Sequence, residues 1–213
     1  MRVSDSKRKR KRRKPVPEII RDIDQLSDEW FKLRVGSIGG SSIQAVMTGG
    51  QGKTRKSLMY QLTSEILTGE KYGFNSTPAM DEGTRRESES RAKFSLMTFL
   101  DVEEVGLIKG DIEGTHVSPD GLTSDGAGLE LKNPMAHTQV KYIDEDRLPL
   151  EYVKQVQYSM WITGYKRWWF FSYHPKIKPL LIEVYRDEAL IKTIETETIK
   201  FLAELNRLVE KMR

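Results

Sequence analysis

Asp120, Glu130 and Lys132 are the residues of this 213-residue chain whose types and spacing could do chemistry together. They lie in Ser118-Pro119-Asp120-Gly121-Leu122 and, after a turn, in Gly128-Leu129-Glu130-Leu131-Lys132. In a strand, alternate side chains share a face. Glu130 and Lys132 therefore point one way, about 7 Å apart along the strand, while Leu129 and Leu131 point the other way into a core. If the two segments form a hairpin, Ser124-Asp125-Gly126 folds Asp120 back towards Glu130, and Asp125 is its turn residue. Two carboxylates and one ammonium then converge. Such carboxylates bind Mg²⁺ through oxygen and leave it several waters. The ion polarises a phosphodiester and lowers the pKa of a bound water. A lysine beside it orients or deprotonates that water and offsets charge growing on the phosphoryl oxygens. A bare Glu-x-Lys is common on exposed strand faces; the Pro-Asp upstream and the intervening turn set this one apart.

The surrounding pattern supplies the elements that would hold these residues. Val102 to Ile108, Thr115 to Leu122 and Gly128 to Lys132 are short runs divided by Gly, Asp and Ser, as in antiparallel strands. Arg167 to Tyr173 and Leu180 to Tyr185 are aromatic and β-branched, and read as two more. Helices are expected over Ser27 to Arg34, from Ser41 or Ser42 through Met47, over Ser57 to Leu67 with a stop at Gly69, over Met80 to Leu100, and over Tyr152 to Thr163. In a last helix, Ile191, Ile194, Leu202, Leu205, Leu208 and Met212 form one buried stripe. Gly49 to Lys56 (GGQGKTRK) reads as a flexible basic loop and residues 70–78 as irregular. The fold class is α/β, a central mixed sheet flanked by helices.

The net charge of +4 conceals an asymmetry. Lys7 to Lys14 (KRKRKRRK) carry eight positive charges, so residues 15–213 hold about −4. Residues 1–14 are expected to be a disordered basic tail and 15–213 a single domain. No apolar run suits a membrane span, so no membrane partner is expected. The absence of cysteine excludes disulfides, thiolate catalysis and a cysteine zinc site, and fits a reducing, cytoplasmic setting. GGQGKT lacks the first glycine of a phosphate-binding loop at the required spacing, and no hydrophobic strand precedes it. No ATP site is expected.

Five blocks in order carry a family resemblance: WFKLRVGSIGGS (30–41), GTRRESESR (83–91), SPDGLTSDGAGLELKNP (118–134), EYVKQVQYSMWITG (151–164) and RWWFFSYHP (167–175). From Trp30 to about Tyr173 the chain resembles the phage lambda exonuclease family, a branch of the PD-(D/E)xK nucleases that includes YqaJ-type viral recombinases. The resemblance implies that Asp120, Glu130 and the carbonyl of Leu131 bind Mg²⁺, with Mn²⁺ as a substitute, and that Glu87 completes the metal site. It makes Lys132 the catalytic lysine and Gln155 the glutamine held near the attacking water, with Tyr152 on the same helix face. Arg34 would grasp the 5′-phosphate of a DNA end, with Ser41 near that pocket. Met80 would wedge the strands apart. Outside the matching blocks, the basic loop with Lys53, Arg55 and Lys56 is expected to touch backbone phosphates, with no specific role for each. Each has a plainer reading: an i,i+4 pair for Glu87, a surface amide for Gln155, core for Tyr152 and Met80, a surface arginine for Arg34. His116 and His137 are expected to be non-catalytic.

The resemblance further implies a 5′→3′ exonuclease on double-stranded DNA ends that releases mononucleotides and leaves 3′ overhangs. It implies a homotrimeric ring and a single-strand annealing recombinase as partner. The alternatives are an endonuclease of the same superfamily and a non-catalytic DNA-binding protein. If the tail touches phosphates, deleting residues 1–14 should leave low-salt turnover nearly intact, weaken DNA binding, and make its salt dependence shallower, because fewer counterions are released. Binding titrations at several salt concentrations check this, and an unchanged slope would remove the tail from the contact.

Overall fold

The sheet that carries the candidate residues has five strands in the order β2-β5-β6-β7-β8: β2 (Val102–Glu103), β5 (Gly121–Thr123), β6 (Gly128–Lys132), β7 (Arg167–His174) and β8 (Ile177–Tyr185). β6 and β7 are parallel and the other pairs antiparallel, so the sheet is mixed. A smaller sheet joins β1 (Glu18–Ile20), β3 (Leu107–Lys109) and β4 (His116–Val117) in the order β1-β3-β4. The computed structural model describes residues 17–48, 52–72 and 85–213; the basic tail and Met80 lie outside the described residues.

Alternation along β6 decides what covers each face. Leu129 and Leu131 pack with Phe171, Tyr173 and Phe94 of helix α4 (Glu87–Thr98). The opposite face of β7, with Trp168 and Phe170, joins the larger core, to which helices α6 (Leu150–Thr163) and α7 (Glu188–Met212) contribute Val156, Tyr158, Ile191, Ile194, Phe201 and Leu205. Gly128 is required where the Trp168 ring crosses β6, since a Cβ there would stand 2.3 Å from ring carbons. Helices α1 (Asp28–Leu33), α2 (Ile43–Val46) and α3 (Lys53–Thr68) precede the sheet, with a 3-10 turn at Gly40–Ser42. Ser27 caps α1 by accepting from the Trp30 amide, and α3 ends on left-handed Gly69.

Several expectations need correction. The Gly49–Lys56 stretch is not a loop throughout, because α3 already begins at Lys53. The run 102–108 divides between the two sheets at Val105-Gly106, where a Gly106 Cβ would meet the Ile23 carbonyl oxygen at 2.3 Å. The run 115–122 divides likewise at Ser118-Pro119-Asp120, since Pro119 has no amide to continue a ladder. Helix α4 closes at Thr98, where left-handed Phe99 ends it, short of Leu100. Helix α5 (Ala136–Glu145) and β1 were not anticipated.

Gly128→Ala should therefore destabilise the fold by roughly 1–3 kcal/mol through overpacking. A urea midpoint lowered at constant m would show it; a wild-type midpoint would mean that Trp168 yields freely.

Candidate active site

The β5–β6 hairpin builds the centre. The Gly126 amide donates to the Thr123 carbonyl across the turn, and Asp125 is held there by Arg167 at 2.9 Å. Just before β5, the Asp120 amide donates to the Leu129 carbonyl at 3.1 Å, and Asp120 Oδ2 accepts from the Leu131 amide at 2.6 Å. Asp120 thus lies directly beside Glu130. Lys132 Nζ donates to Glu130 Oε1 on the shared strand face. Gln155 of α6 donates to that same oxygen at 2.6 Å. The Tyr152 ring lies 5.1 Å from Lys132 Nζ and packs on Phe170, so it serves both core and site. These five residues are brought together.

Burial first, and the Glu130 charge second, push the Asp120 carboxyl up to about 8. Burial opposes the charge on Lys132, but Glu130 and Asp120 outweigh it and hold the ammonium above its usual range. Glu87, at the start of α4, faces this field: its carboxyl is raised mainly by burial, against the pull of Arg91. Arg91 binds Glu87 at 2.8 Å, Glu104 at 2.9 Å and the Asp120 carbonyl at 3.3 Å. It ties α4 to the hairpin, a role its place in the charged block did not reveal.

The donor set fits a hard divalent cation. Among the described residues, Glu130 Oε2 and Asp120 Oδ1 accept no hydrogen bond, and with both carboxylates ionised, as a cation would hold them, Lys132 offsets only one of the two charges. Glu87 is not gathered into a closed three-carboxylate set, because Arg91 holds it.

A second group lies around α1. The Arg34 guanidinium stacks 3.7 Å from the centroid of Trp30, whose indole donates to the Gly106 carbonyl and to Ser118 Oγ. Arg34 Nε donates to His116 Nε2 at 3.0 Å. Burial lowers the guanidinium to about 10. Buried Glu65 of α3 accepts from the Gly36 and Tyr72 amides, from Gln61 and from Lys71, and so fixes the chain on both sides of α3. Ser41 and Lys53 line a shallow depression with Ser42, Thr54 and Ser57. Arg55 has another use than the one expected: it grips Glu204 of α7 with two bonds, 2.6 and 3.1 Å, beside Phe201. His137 is exposed on α5, away from these contacts.

Residues 29–166 match the family model described as YqaJ-like viral recombinase domain. Among solved structures, the alkaline exonuclease LHK-Exo from Laribacter hongkongensis is 36% identical, with a TM-score of 0.81 over 87% of this chain and 96% of that one. Its complex with dAMP matches at the same identity and coverage, with a TM-score of 0.82. A phage-related exonuclease from Haemophilus somnus, 14% identical, shares the fold at a TM-score of 0.62 over 83% of this chain and 96% of its own. No curated protein matches. The fold is that of the PD-(D/E)xK phage-type exonucleases.

His116 generates a pH dependence of stability. Burial, then the charges of Arg34 and Lys71, lower its folded pKa to about 3 from an ordinary value of 6.5. Between those values the unfolded chain binds the proton and the folded chain does not. The His116 contribution to stability falls as pH falls through that window, by up to about 1.4 kcal/mol per pH unit, and the raised Asp120 carboxyl opposes it there with the reverse sign. Urea melts at pH 6, 5 and 4, each about one unit apart, should show His116→Gln gaining stability relative to the wild type as pH falls; a difference that does not change with pH would refute the assignment.

Proposed function

We propose, for a chain that belongs to the YqaJ-like viral recombinase family, that it is a magnesium-dependent 5′→3′ exonuclease acting on double-stranded DNA ends. One observation carries the chemistry: Lys132 and Gln155 converge on one oxygen of Glu130, while its other oxygen and Oδ1 of Asp120 accept no hydrogen bond among the described residues and could take a cation. Asp120, Glu130 and the Leu131 carbonyl are the residues that would hold the ion, with Mn²⁺ as a substitute. Bound there, magnesium supplies Lewis acidity to the scissile phosphate and acidifies a water. Gln155 orients the attacking water, and Lys132 steadies it and offsets charge on the phosphoryl oxygens. The water oxygen bonds to phosphorus as the P–O3′ bond breaks, which releases a 5′-mononucleotide and leaves a new 5′-phosphate on the shortened strand.

Arg34, aided by Ser41, takes that 5′-phosphate, and the fork of its guanidinium matches two phosphate oxygens. Glu87, which Arg91 holds at 2.8 Å, would add negative charge near the ion. The other strand is left as a 3′ overhang for a single-strand annealing recombinase, in the cytoplasm of a host cell, with the enzyme as a homotrimeric ring. The relative crystallised with dAMP holds a mononucleotide of the kind this reaction releases. Among the described residues no helix is long and apolar enough to cross a membrane.

Asp120→Ala and Glu130→Ala should each lower cleavage at least about a hundredfold and weaken Mg²⁺ binding by calorimetry. Lys132→Ala should lose a comparable factor while Mg²⁺ and DNA binding largely survive. Cleavage at the wild-type rate by Lys132→Ala sinks the mechanism. Rapid nicking of closed circular DNA would favour the endonuclease alternative, and inactivity of the wild type on every duplex with Mg²⁺ the non-catalytic one.

A further inference from the structure

Arg34 has an unusual partner for a desolvated arginine. Among the described residues no carboxylate bonds to its guanidinium. Glu65, the acid whose charge it feels, is occupied by Lys71, Gln61 and two backbone amides. What Arg34 Nε meets instead is His116 Nε2, at 3.0 Å.

The proton positions around this contact follow from donor and acceptor rules alone. An arginine Nε always carries hydrogen, so His116 Nε2 must be the bare nitrogen. The ring proton is then on Nδ1, which lies 2.5 Å from Ser37 Oγ. Ser37 Oγ accepts it and turns its own hydrogen to the Arg34 carbonyl at 3.4 Å. The loop closes on the residue where it began, with one donor at each step. The imidazole is placed by backbone: its own amide donates to the Ile38 carbonyl, and the Ile38 amide to that of Gly114. The absence of a side chain at Gly39 leaves room, since a Cβ there would stand 2.8 Å from His116 Nε2 and 3.5 Å from Arg34 Nη2.

We infer that His116 is the positioning residue of the end pocket: it aims Arg34 by accepting from Nε while adding no negative charge, so both Nη groups keep their hydrogens and their charge for a terminal phosphate. The inference rests on the reading of Arg34 as the 5′-phosphate anchor. A carboxylate at position 116 would orient the guanidinium equally well, but it would neutralise it and compete for the same donors. An apolar residue would leave the charge but release the aim. A neutral acceptor meets both demands, and a histidine with its other nitrogen fixed by Ser37 is one.

The test uses the full chain and linear duplexes that differ only in carrying 5′-phosphate or 5′-hydroxyl ends. Wild type should show a kcat/KM ratio of roughly tenfold or more in favour of the phosphate. His116→Gln, a neutral acceptor, should keep most of that ratio. His116→Glu and His116→Leu should drop it to the Arg34→Ala value, chiefly through KM. A folded His116→Glu or His116→Leu with the wild-type ratio overturns the inference and leaves Arg34 standing. A wild type without any preference removes the Arg34 reading, and this inference with it. If neither substituted protein folds by circular dichroism, Ser37→Ala decides. Without the hydroxyl, the Nδ1–H loses its acceptor and the ring is no longer held on the side away from Arg34, so the aim loosens and the ratio should fall severalfold; an unchanged ratio refutes the role.

Discussion

The candidate catalytic cluster is arranged around the oxygen atom Oε1 of Glu130. Lys132 and Gln155 both donate to it, and Asp120 lies against the same strand. Carboxylates brought this close and partly out of water repel each other and lose hydration, so the place where they meet has to be imposed by the rest of the fold. β6 does so from within the sheet. Its two leucines lock into the cluster around Phe94 and Phe171, and Gly128 lies under Trp168. The strand cannot rotate without unpacking one face or the other, and the charged side is fixed as a result.

How much of this was legible depended on how far apart the partners are. The hairpin was legible because its signal is local: alternation in Gly128 to Lys132, a turn, and Pro-Asp before it. Helix α5 was not, because its buried anchor is polar. Gln139 bonds to the Ser172 and Lys178 carbonyls and accepts from Ser172 Oγ, so one of the two residues the helix buries, beside Tyr142, is an amide that reads as surface. The run 102–108 was read as continuous because the backbone of residues 20–23 that forces the break at Gly106 is remote in sequence, whereas the break in 115–122 had its signal, Pro119, within the run. Arg55 looked like a phosphate contact for the same reason: Glu204 lies on the last helix, 149 residues away.

His116 shows the limit from the other side. A lone histidine has no spacing that marks it, and the reaction expected of the site does not call for one. Its importance depends on Arg34, 82 residues earlier, and on Ser37. The arginine could be singled out from the block it belongs to. The acceptor that meets that arginine, a ring nitrogen without charge, is visible in the folded pocket alone.

Gly39 and Gly40 occupy the seam between the two centres. A Cβ at Gly39 would press on His116 and approach Arg34, while one at Gly40 would touch Gln155 Cγ at 3.4 Å and Ser159 Oγ at 3.6 Å, in ordinary contact. Position 40 therefore has slack and position 39 has none. A methyl group at 39 has to move the imidazole, and with it the acceptor of the Arg34 bond, although glycine itself brings no functional group to either. Residue 39 thus acts as a spacer: its missing side chain is what lets an imidazole and a guanidinium meet at bonding distance.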